Sequence, residues 1–356
     1  MSKKLYGEEL LRELCLAFGP TGCEDNVAEL IKAQIKGSCD EIKLDKMGNL
    51  TAVVYGRNHG TENEHRLLFS AHMDEVGFMI TDVNGDGTLK FACLGGIVGY
   101  ALPSRKVTVG DENNKITGVI GTKPIHLIGG DREKMPNPDS LYIDIGAKDK
   151  DEASSYVKRG SFGTFDSEFI RFGEGGRFVK SKALDDRFGC AALIETCRCV
   201  YDGERPDHDT VFAFTVREEI GKSGAKVTAY DRDPHMAIVV EATAVADNTG
   251  SPREKRVAEL GEGPAVSFMD RSTIYSRDMV DLVFDTAKRH GIKCQLKRYV
   301  SGGNDAGHIH KIRAGVPTAA ISAPARYIHT ASNVICYDDY TAATELLKAL
   351  AAEIKL

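Results

Sequence analysis

Three segments of this chain are apolar on almost every residue, and they restrict its fold more than any other feature. They are residues 66–71, 210–216 and 236–241. A strand that is apolar on successive residues is covered on both faces, as in the sheets of α/β proteins. Segments with the apolar spacing of helices alternate with these strands, including residues 277–290 and 340–354. The sequence therefore predicts an α/β fold around a central sheet.

The pattern changes between residues 77 and 166. Strand-like segments at 78–83 and 88–93 flank Asn-Gly-Asp-Gly, which is typical of a hairpin, and further short strands follow. No convincing helix is expected here, so the stretch is predicted to form a small all-β barrel. The predicted organisation is a discontinuous α/β domain, residues 1–76 and 167–356, interrupted by a barrel domain at 77–166.

The composition excludes several classes of protein. The 356 residues carry a net charge of -6 without a basic block, which argues against a nucleic-acid partner. No apolar run approaches the roughly 18 residues of a membrane span, and the N-terminus has no signal core. The nine cysteines are odd in number and include no Cys-x-x-Cys pair, which argues against a disulfide framework or a thiolate zinc site. We therefore expect a cytoplasmic protein.

Carboxylates and one histidine follow the three apolar strands. His72 and Asp74 follow the first strand, Glu218 and Glu219 follow the second, and Glu241 ends the third. Ligands of open α/β sheets bind outside the carboxyl ends of the strands. Because unpaired buried charge is costly, these side chains need a common partner.

Two further segments bring ligands to the same edge. Asp185 precedes a predicted helix, whose N-terminus favours an anion, and His329 follows a strand-like segment at 315–322. Histidine and carboxylate ligands without thiolates suit zinc, cobalt or manganese. Two such ions can share a bridging carboxylate and activate a water, and Asp74 is placed to orient the imidazole of His72. The sequence therefore predicts a two-metal hydrolase.

Five segments together resemble a known family: residues 72–77, 182–189, 217–221, 301–306 and 326–329, which read HMDEVG, KALDDRFG, REEIG, SGGNDA and RYIH. They look like the tetrahedral, or TET-type, dinuclear metallo-aminopeptidases. That family includes glutamyl and deblocking aminopeptidases and relatives labelled cellulase-like. The resemblance covers nearly the whole chain. It implies a zinc-exopeptidase-like domain with a mixed central sheet flanked by helices, which removes N-terminal residues from short peptides.

The resemblance also implies a role for each site residue. The implied metal ligands are His72, Asp185, Glu219, Glu241 and His329. Asp185 bridges two divalent ions, zinc or cobalt with manganese as an alternative, and a cis peptide bond is expected before Asp186. Glu218 is the implied general base, which takes a proton from water and passes it to the leaving amine. The implied partners are peptide substrates and further copies of the chain, since the family often builds dodecameric tetrahedra from dimers joined through the barrel.

This chain departs from the family pattern at Glu241, at Asn304 in the Gly-Gly loop, and at residues 331–333, which replace a more acidic stretch after the histidine. Glu241 stands where the family usually has aspartate, and Asn304 stands where it usually has threonine. Two alternatives stay open beside the aminopeptidase: a metal-dependent hydrolase of an N-acyl amino acid or a glycan, and a non-catalytic assembly protein. The segment Gly221-Lys222-Ser223 resembles the end of a phosphate-binding loop, but Val216 stands where that pattern needs glycine.

Overall fold

The chain is mixed α/β, and it combines a large mixed sheet and helices with a closed barrel. The computed structural model describes residues 3–111, 114–124, 126 and 135–356. Within them, eleven strands form the sheet and six antiparallel strands close the barrel. This confirms the predicted fold class.

The sheet is mixed, and its central strands are the apolar segments of the sequence. Its strands are β1 Glu41–Leu44, β2 Leu50–Val54, β3 Arg66–His72, β10 Ile170–Phe172, β11 Phe178–Ser181, β12 Asp209–Thr215, β13 Met236–Ala244, β14 Ala265–Val266, β15 Gln295–Leu296, β16 Thr318–Arg326 and β17 Asn333–Cys336. The order is β1-β2-β12-β3-β13-β16-β17-β11-β10, with β14 beside β16 and β15 beside β14. The neighbours β12, β3, β13 and β16 run parallel, which brings their carboxyl ends to one edge.

The described helices include several that pack against this sheet and one, α3 at Lys150–Tyr156, that contacts the barrel strand at Gly77–Val83; another carries a predicted ligand at its start. The helices are α1 Gly7–Leu16, α2 Asp25–Ile35, α3 Lys150–Tyr156, α4 Leu184–Asp202, α5 Ser223–Arg232, α6 Arg277–Arg289, α7 Ala306–Ile309 and α8 Tyr337–Glu353. Helix α4 contacts β3 and β13, and it is buried along most of its length. Among the helices that the structure describes, none is long and apolar enough to span a membrane.

The barrel closes through its first and last strands. Its strands are β4 Gly77–Val83, β5 Leu89–Leu94, β6 Lys106–Gly110, β7 Lys115–Gly121, β8 Tyr142–Asp144 and β9 Phe162–Phe165, in the order β4-β5-β8-β7-β6-β9. Phe78 in its core meets the edges of Phe91 and Phe165, each with a centroid distance of 5.2 Å. The domain division at residues 76 and 166 remains a prediction, although the barrel strands lie between these limits.

The expectation that this stretch holds no helix is wrong, because α3 lies within it. The Asp149 carboxylate caps α3 by accepting a hydrogen bond from the backbone N–H of Glu152 at 2.9 Å. The Glu152 carboxylate in turn accepts from the N–H of Lys148 at 2.9 Å. Such caps start helices even in a stretch rich in turn residues.

Candidate metal centre

The carboxylate of Asp185 lies between two histidines. Its Oδ1 is 3.3 Å from Nε2 of His72, and its Oδ2 is 3.4 Å from Nε2 of His329. Asp185 occupies the irregular start of α4, and its peptide bond to Asp186 is cis, as the resemblance implies. Each oxygen of one carboxylate therefore faces a different imidazole, as a bridge between two cations requires.

A second carboxylate joins each of these pairs. Glu241 places Oε1 3.4 Å from Nε2 of His72, and Glu219 places Oε2 3.4 Å from Nε2 of His329. Charge-assisted hydrogen bonds are shorter, about 2.7–2.9 Å. Ligand atoms about 2.1 Å from a tetrahedral zinc ion lie roughly 3.4 Å from one another. The spacing and the donor chemistry of these residues therefore fit divalent metal ions.

Among the described residues, Asp186 competes with Asp185 as a carboxylate near His72. Ligand atoms of His72, Asp186 and Glu241 also lie within 4.8 Å of one another. However, Asp186 accepts backbone hydrogen bonds from His72 at 3.3 Å and from Gly189 at 3.1 Å. A Cβ at Gly189 would lie 2.4 Å from its Oδ2. The two oxygens of Asp186 therefore accept hydrogen bonds from backbone N–H groups, whereas those of Asp185 face the imidazoles of His72 and His329.

His72 is oriented by the backbone of Asp74. Its Nδ1 lies 3.0 Å from the Asp74 carbonyl oxygen, and the Asp74 carboxylate is farther away at 3.4 Å. Donation from Nδ1 leaves the lone pair of Nε2 pointing at the candidate ligands. The Asp74 carboxylate instead accepts from the N–H groups of Glu218 at 3.0 Å and Glu219 at 3.1 Å. Asp74 thus positions both His72 and the Glu218-Glu219 segment. The sequence did not suggest its contact with the two glutamates.

His329 is oriented by the barrel. Its Nδ1 lies 3.1 Å from the carbonyl oxygen of Gly96, in the segment between β5 and β6. A Cβ at Gly96 would lie 3.2 Å from that nitrogen. Gly96 could not be assigned to the site from the sequence, because its signal is a Gly-Gly pair that is equally typical of a turn.

Lys222 is a second residue of the site that the sequence did not indicate. Its Nζ lies 2.8 Å from Oε1 of Glu218, which is buried. Burial raises the pKa of Glu218, while His72 and Lys222 lower it. The segment Gly221-Lys222-Ser223, which resembles the end of a phosphate-binding loop, thus contains the partner of Glu218, the predicted base.

Burial without metal perturbs the candidate ligands strongly. Burial raises the pKa of Glu219 to about 8, although His329 opposes this, and it raises the pKa of Glu241 well above the usual range. Burial also raises the pKa of Asp185, but hydrogen bonds with His329 and His72 outweigh it and hold that pKa far below its ordinary value. The carboxylates of the site thus outnumber the two imidazoles and the one lysine that face them. Divalent cations would balance this excess of negative charge.

All seven predicted site residues lie together at the carboxyl edge of the parallel strands. They are His72, Asp74, Asp185, Glu218, Glu219, Glu241 and His329. A cavity of about 300 Å³ opens above them, and Asp185, Glu218 and Glu219 are among its lining residues. The strand β13 continues past Glu241 to Ala244, so that this residue lies inside the strand and not at its predicted end.

Comparison with known families decides the class of this site. The family model of the M42 glutamyl aminopeptidases matches residues 48–346. The chain belongs to the M42 aminopeptidase family. It is therefore an enzyme, a hydrolase that acts on peptides, and the predicted resemblance is confirmed.

Individual M42 relatives match over nearly their whole length. A putative aminopeptidase of Acetivibrio thermocellus is 34% identical over 95% of this chain and 96% of its own. The lysyl aminopeptidase of Pyrococcus furiosus is 31% identical over 98% and 97%. The crystal structure of a TET aminopeptidase from a marine sediment archaeon of the Thaumarchaeota superposes with a TM-score of 0.93 at 34% identity, covering 98% of this chain and 96% of that one.

A further solved relative is described by its assembly. It is the Pyrococcus horikoshii TET1 peptidase, which can assemble into a tetrahedron or a large octahedral shell. Its TM-score is 0.86 at 36% identity, over 97% of this chain and 99% of that one.

Proposed function

We propose that this chain removes N-terminal residues from short peptides with the help of two divalent metal ions. The proposed ligands are His72, Asp185, Glu219, Glu241 and His329. The observation that carries the proposal is the position of the Asp185 carboxylate. Its Oδ1 lies 3.3 Å from Nε2 of His72, and its Oδ2 lies 3.4 Å from Nε2 of His329. Membership of an aminopeptidase family supports the same reaction.

The nitrogen and oxygen donors suit zinc or cobalt, with manganese as the alternative. Metal ions bound there would polarise the scissile carbonyl and lower the pKa of water. The protein holds each imidazole by its Nδ1, through the carbonyls of Asp74 and Gly96. Both Nε2 atoms are thereby fixed toward the shared carboxylate of Asp185.

Glu218 is the proposed general base. Lys222 holds its Oε1, which leaves Oε2 to take a proton from the attacking water and return it to the leaving amine nitrogen. The Asp74 carboxylate keeps the backbone of Glu218 in place through its N–H. The carboxylates that line the cavity would also attract the positive amino terminus of a peptide.

The direct test is metal analysis of the purified protein together with turnover of a panel of substrates. The panel contains aminoacyl anilides, N-acyl amino acids and aryl glycosides. A glycosidase needs two free carboxyl groups about 5–9.5 Å apart, whereas Asp185, Glu219 and Glu241 here lie against imidazoles. We expect bound divalent metal and turnover of the anilides. Activity on glycosides or N-acyl substrates alone would contradict the proposal, and a metal-free, inactive protein would favour an assembly role.

We also propose that the chain forms a homo-oligomer of dimers, in which the barrel at residues 77–166 serves as the dimerisation domain or lid. The tetrahedral assembly of the Pyrococcus horikoshii relative supports this. Light scattering of the purified protein should give a mass of at least a dimer and, for a tetrahedron, a dodecamer. A monomer over the working concentration range would contradict it. All nine cysteines are described and free, which supports a reducing compartment such as the cytoplasm.

A further inference from the structure

Two cysteines from distant parts of the chain lie beside each other in the fold. Cys39 lies between α2 and β1, whereas Cys197 belongs to α4. The Sγ of Cys197 donates to the carbonyl oxygen of Ser38 at 3.2 Å. Because one peptide unit joins that carbonyl to Cys39, the sulfur lies within roughly 6 Å of the Cα of Cys39. The backbone thus brings the two residues together.

The two thiols also contact each other directly. A hydrogen bond between them lowers the pKa of Cys39, and the same bond together with burial raises the pKa of Cys197 well above its usual range. The Sγ of Cys39 lies 3.7 Å from the carbonyl oxygen of Ile35, at the end of α2. Two sulfurs in hydrogen-bond contact need only a small side-chain movement to reach the S–S bond length of about 2.05 Å.

The two thiols differ in their access to solvent. Cys39 is partly exposed, whereas Cys197 is completely buried. A small oxidant dissolved in water therefore reaches Cys39 first. The hydrogen bond from Cys197 favours the thiolate of Cys39, and the thiolate is the form that reacts with oxidants. The pair thus combines an accessible thiol with a second thiol placed directly behind it.

Other cysteines of the chain are in different surroundings. Burial raises the pKa of Cys15 and Cys294 to about 12 and the pKa of Cys93 to about 11, so that these thiols stay protonated. Cys199 is exposed on the same helix as Cys197, which makes it a suitable control.

We propose that Cys39 and Cys197 form a reversible disulfide bond when the protein meets a peroxide. The Cys39 thiolate attacks hydrogen peroxide, an S–O bond forms as the O–O bond breaks, and the leaving hydroxide takes up the proton that Cys39 released. The thiol of Cys197 then attacks the sulfur of this sulfenic acid. The S–S bond forms, and the hydroxyl leaves as a second water with the thiol proton. Two thiols thereby lose two electrons, and one peroxide is reduced to two waters.

The bond would tie the segment after α2 to the helix that carries Asp185 at its start. The inference is independent of the proposed function, because neither cysteine belongs to the candidate metal centre.

The test is peptide mapping of the full-length, metal-loaded protein after treatment with hydrogen peroxide and alkylation of the remaining thiols. Trypsin releases Cys39 in the peptide 37–43 and Cys197 in the peptide 188–198, whereas Cys199 falls in the peptide 199–205. We expect 37–43 joined to 188–198, with fragmentation placing the bond at Cys197 and not at Cys190, which shares its peptide. The thiols of the denatured protein should fall from nine to seven, since one disulfide consumes two, and dithiothreitol should restore all nine.

Three variants separate the two steps. Cys39→Ser should keep all of its remaining thiols after the same treatment. Cys197→Ser should leave a sulfenic acid at Cys39, which a 1,3-diketone traps as an adduct. Cys199→Ser is the matched control on the same helix and should form the same joined peptides as the wild type. If the first two variants do not fold, the peptide map of the wild type decides by itself.

Several results would overturn the inference. They are retention of nine thiols, a bond from Cys39 to any other cysteine, and oxidation of Cys39 to a sulfinic acid without the joined peptides. A bond between the Cys199 residues of two chains, with 37–43 and 188–198 unjoined, would do the same. Turnover of aminoacyl anilides enters none of these outcomes, so failure of the disulfide and failure of the proposed function are told apart.

Discussion

Each histidine of the site is held at one ring nitrogen and presents the other to carboxylates. The Nδ1 atoms of His72 and His329 face backbone carbonyls at 3.0 and 3.1 Å. Donation to a carbonyl selects the tautomer whose Nε2 can bind a metal. At the scale of single residues, the site is thus organised by backbone carbonyls that lie on the side of each ring away from the candidate ligands.

The role of Glu218 gives the first prediction at this scale. Glu218→Gln keeps the size of the side chain but cannot accept a proton, so kcat on an aminoacyl anilide should fall by about 10²- to 10⁴-fold. Metal content should not change, because Glu218 is not a proposed ligand. Glu345→Gln alters an exposed glutamate that pairs with Lys348 and serves as the control, with kcat close to that of the wild type. Near-normal turnover in Glu218→Gln would remove this residue as the base.

Adjacent aspartates allow a second prediction. Asp185→Asn should abolish stoichiometric metal binding, because the bridging carboxylate loses one anionic oxygen. Asp186→Asn should retain the metal and lose about 1 kcal/mol of stability, since Asp186 only accepts backbone hydrogen bonds. Metal content after dialysis, measured for both variants, distinguishes the two residues. The opposite pattern would make Asp186 the ligand in place of Asp185.

At the scale of elements, the parallel strands and the barrel contribute different parts of the site. The strands β3 and β13 bring His72 and Glu241 to one edge through their register in the sheet. The segment after β5 contributes the carbonyl of Gly96, which faces His329. An inserted barrel therefore shapes a site whose proposed ligands all lie outside it.

This coupling gives the third prediction. Gly96→Ala would place a Cβ 3.2 Å from Nδ1 of His329 and should displace the imidazole. Loss of such a supporting contact typically costs about 10- to 100-fold in metal affinity or activity. Gly85→Ala, in the hairpin between β4 and β5, is the matched control because no atom lies within 4 Å of its added Cβ. Equal metal affinity in both variants would show that the barrel does not support the site.

For the molecule as a whole, the buried carboxylates and imidazoles of the metal-free site make the stability of the fold depend on pH. Burial raises the pKa of Glu219 from 4.5 to about 8, and contacts with Asp185 and Glu219, opposed by burial, raise the pKa of His329 from 6.5 to about 9. In both cases the folded protein binds the proton more tightly than the unfolded chain. Stability therefore falls as the pH rises through these ranges.

The fourth prediction follows from this sign. The Tm of the metal-free protein should decrease between about pH 5 and pH 9, because Glu219 and then His329 lose protons that the folded state favours. Zinc or cobalt should raise the Tm most at the upper end of that range, where the ligands are deprotonated. Differential scanning calorimetry of metal-free and metal-loaded protein at several pH values measures both effects. A metal-free Tm that rises with pH would contradict the assigned shifts.

The sequence by itself determined the α/β class, the barrel and the set of candidate ligands. Apolar runs identify covered strands, and charged residues directly after such runs must share an edge of the sheet. The local pattern identifies His72 and Glu219 because each lies at or close to the end of an apolar strand. It did not reveal α3, whose capping residues were hidden among turn residues.

Only the tertiary structure decided the contacts of Gly96 and Lys222. The first depends on the barrel meeting His329, which is distant in the chain, and the second on the turn before α5, which brings Lys222 against Glu218 four residues earlier. Their sequence signals, a glycine pair and an ordinary lysine, are also those of turns and exposed surfaces. Burial and the position of the partner decide the role of such residues, and both are properties of the packed chain, not of local sequence.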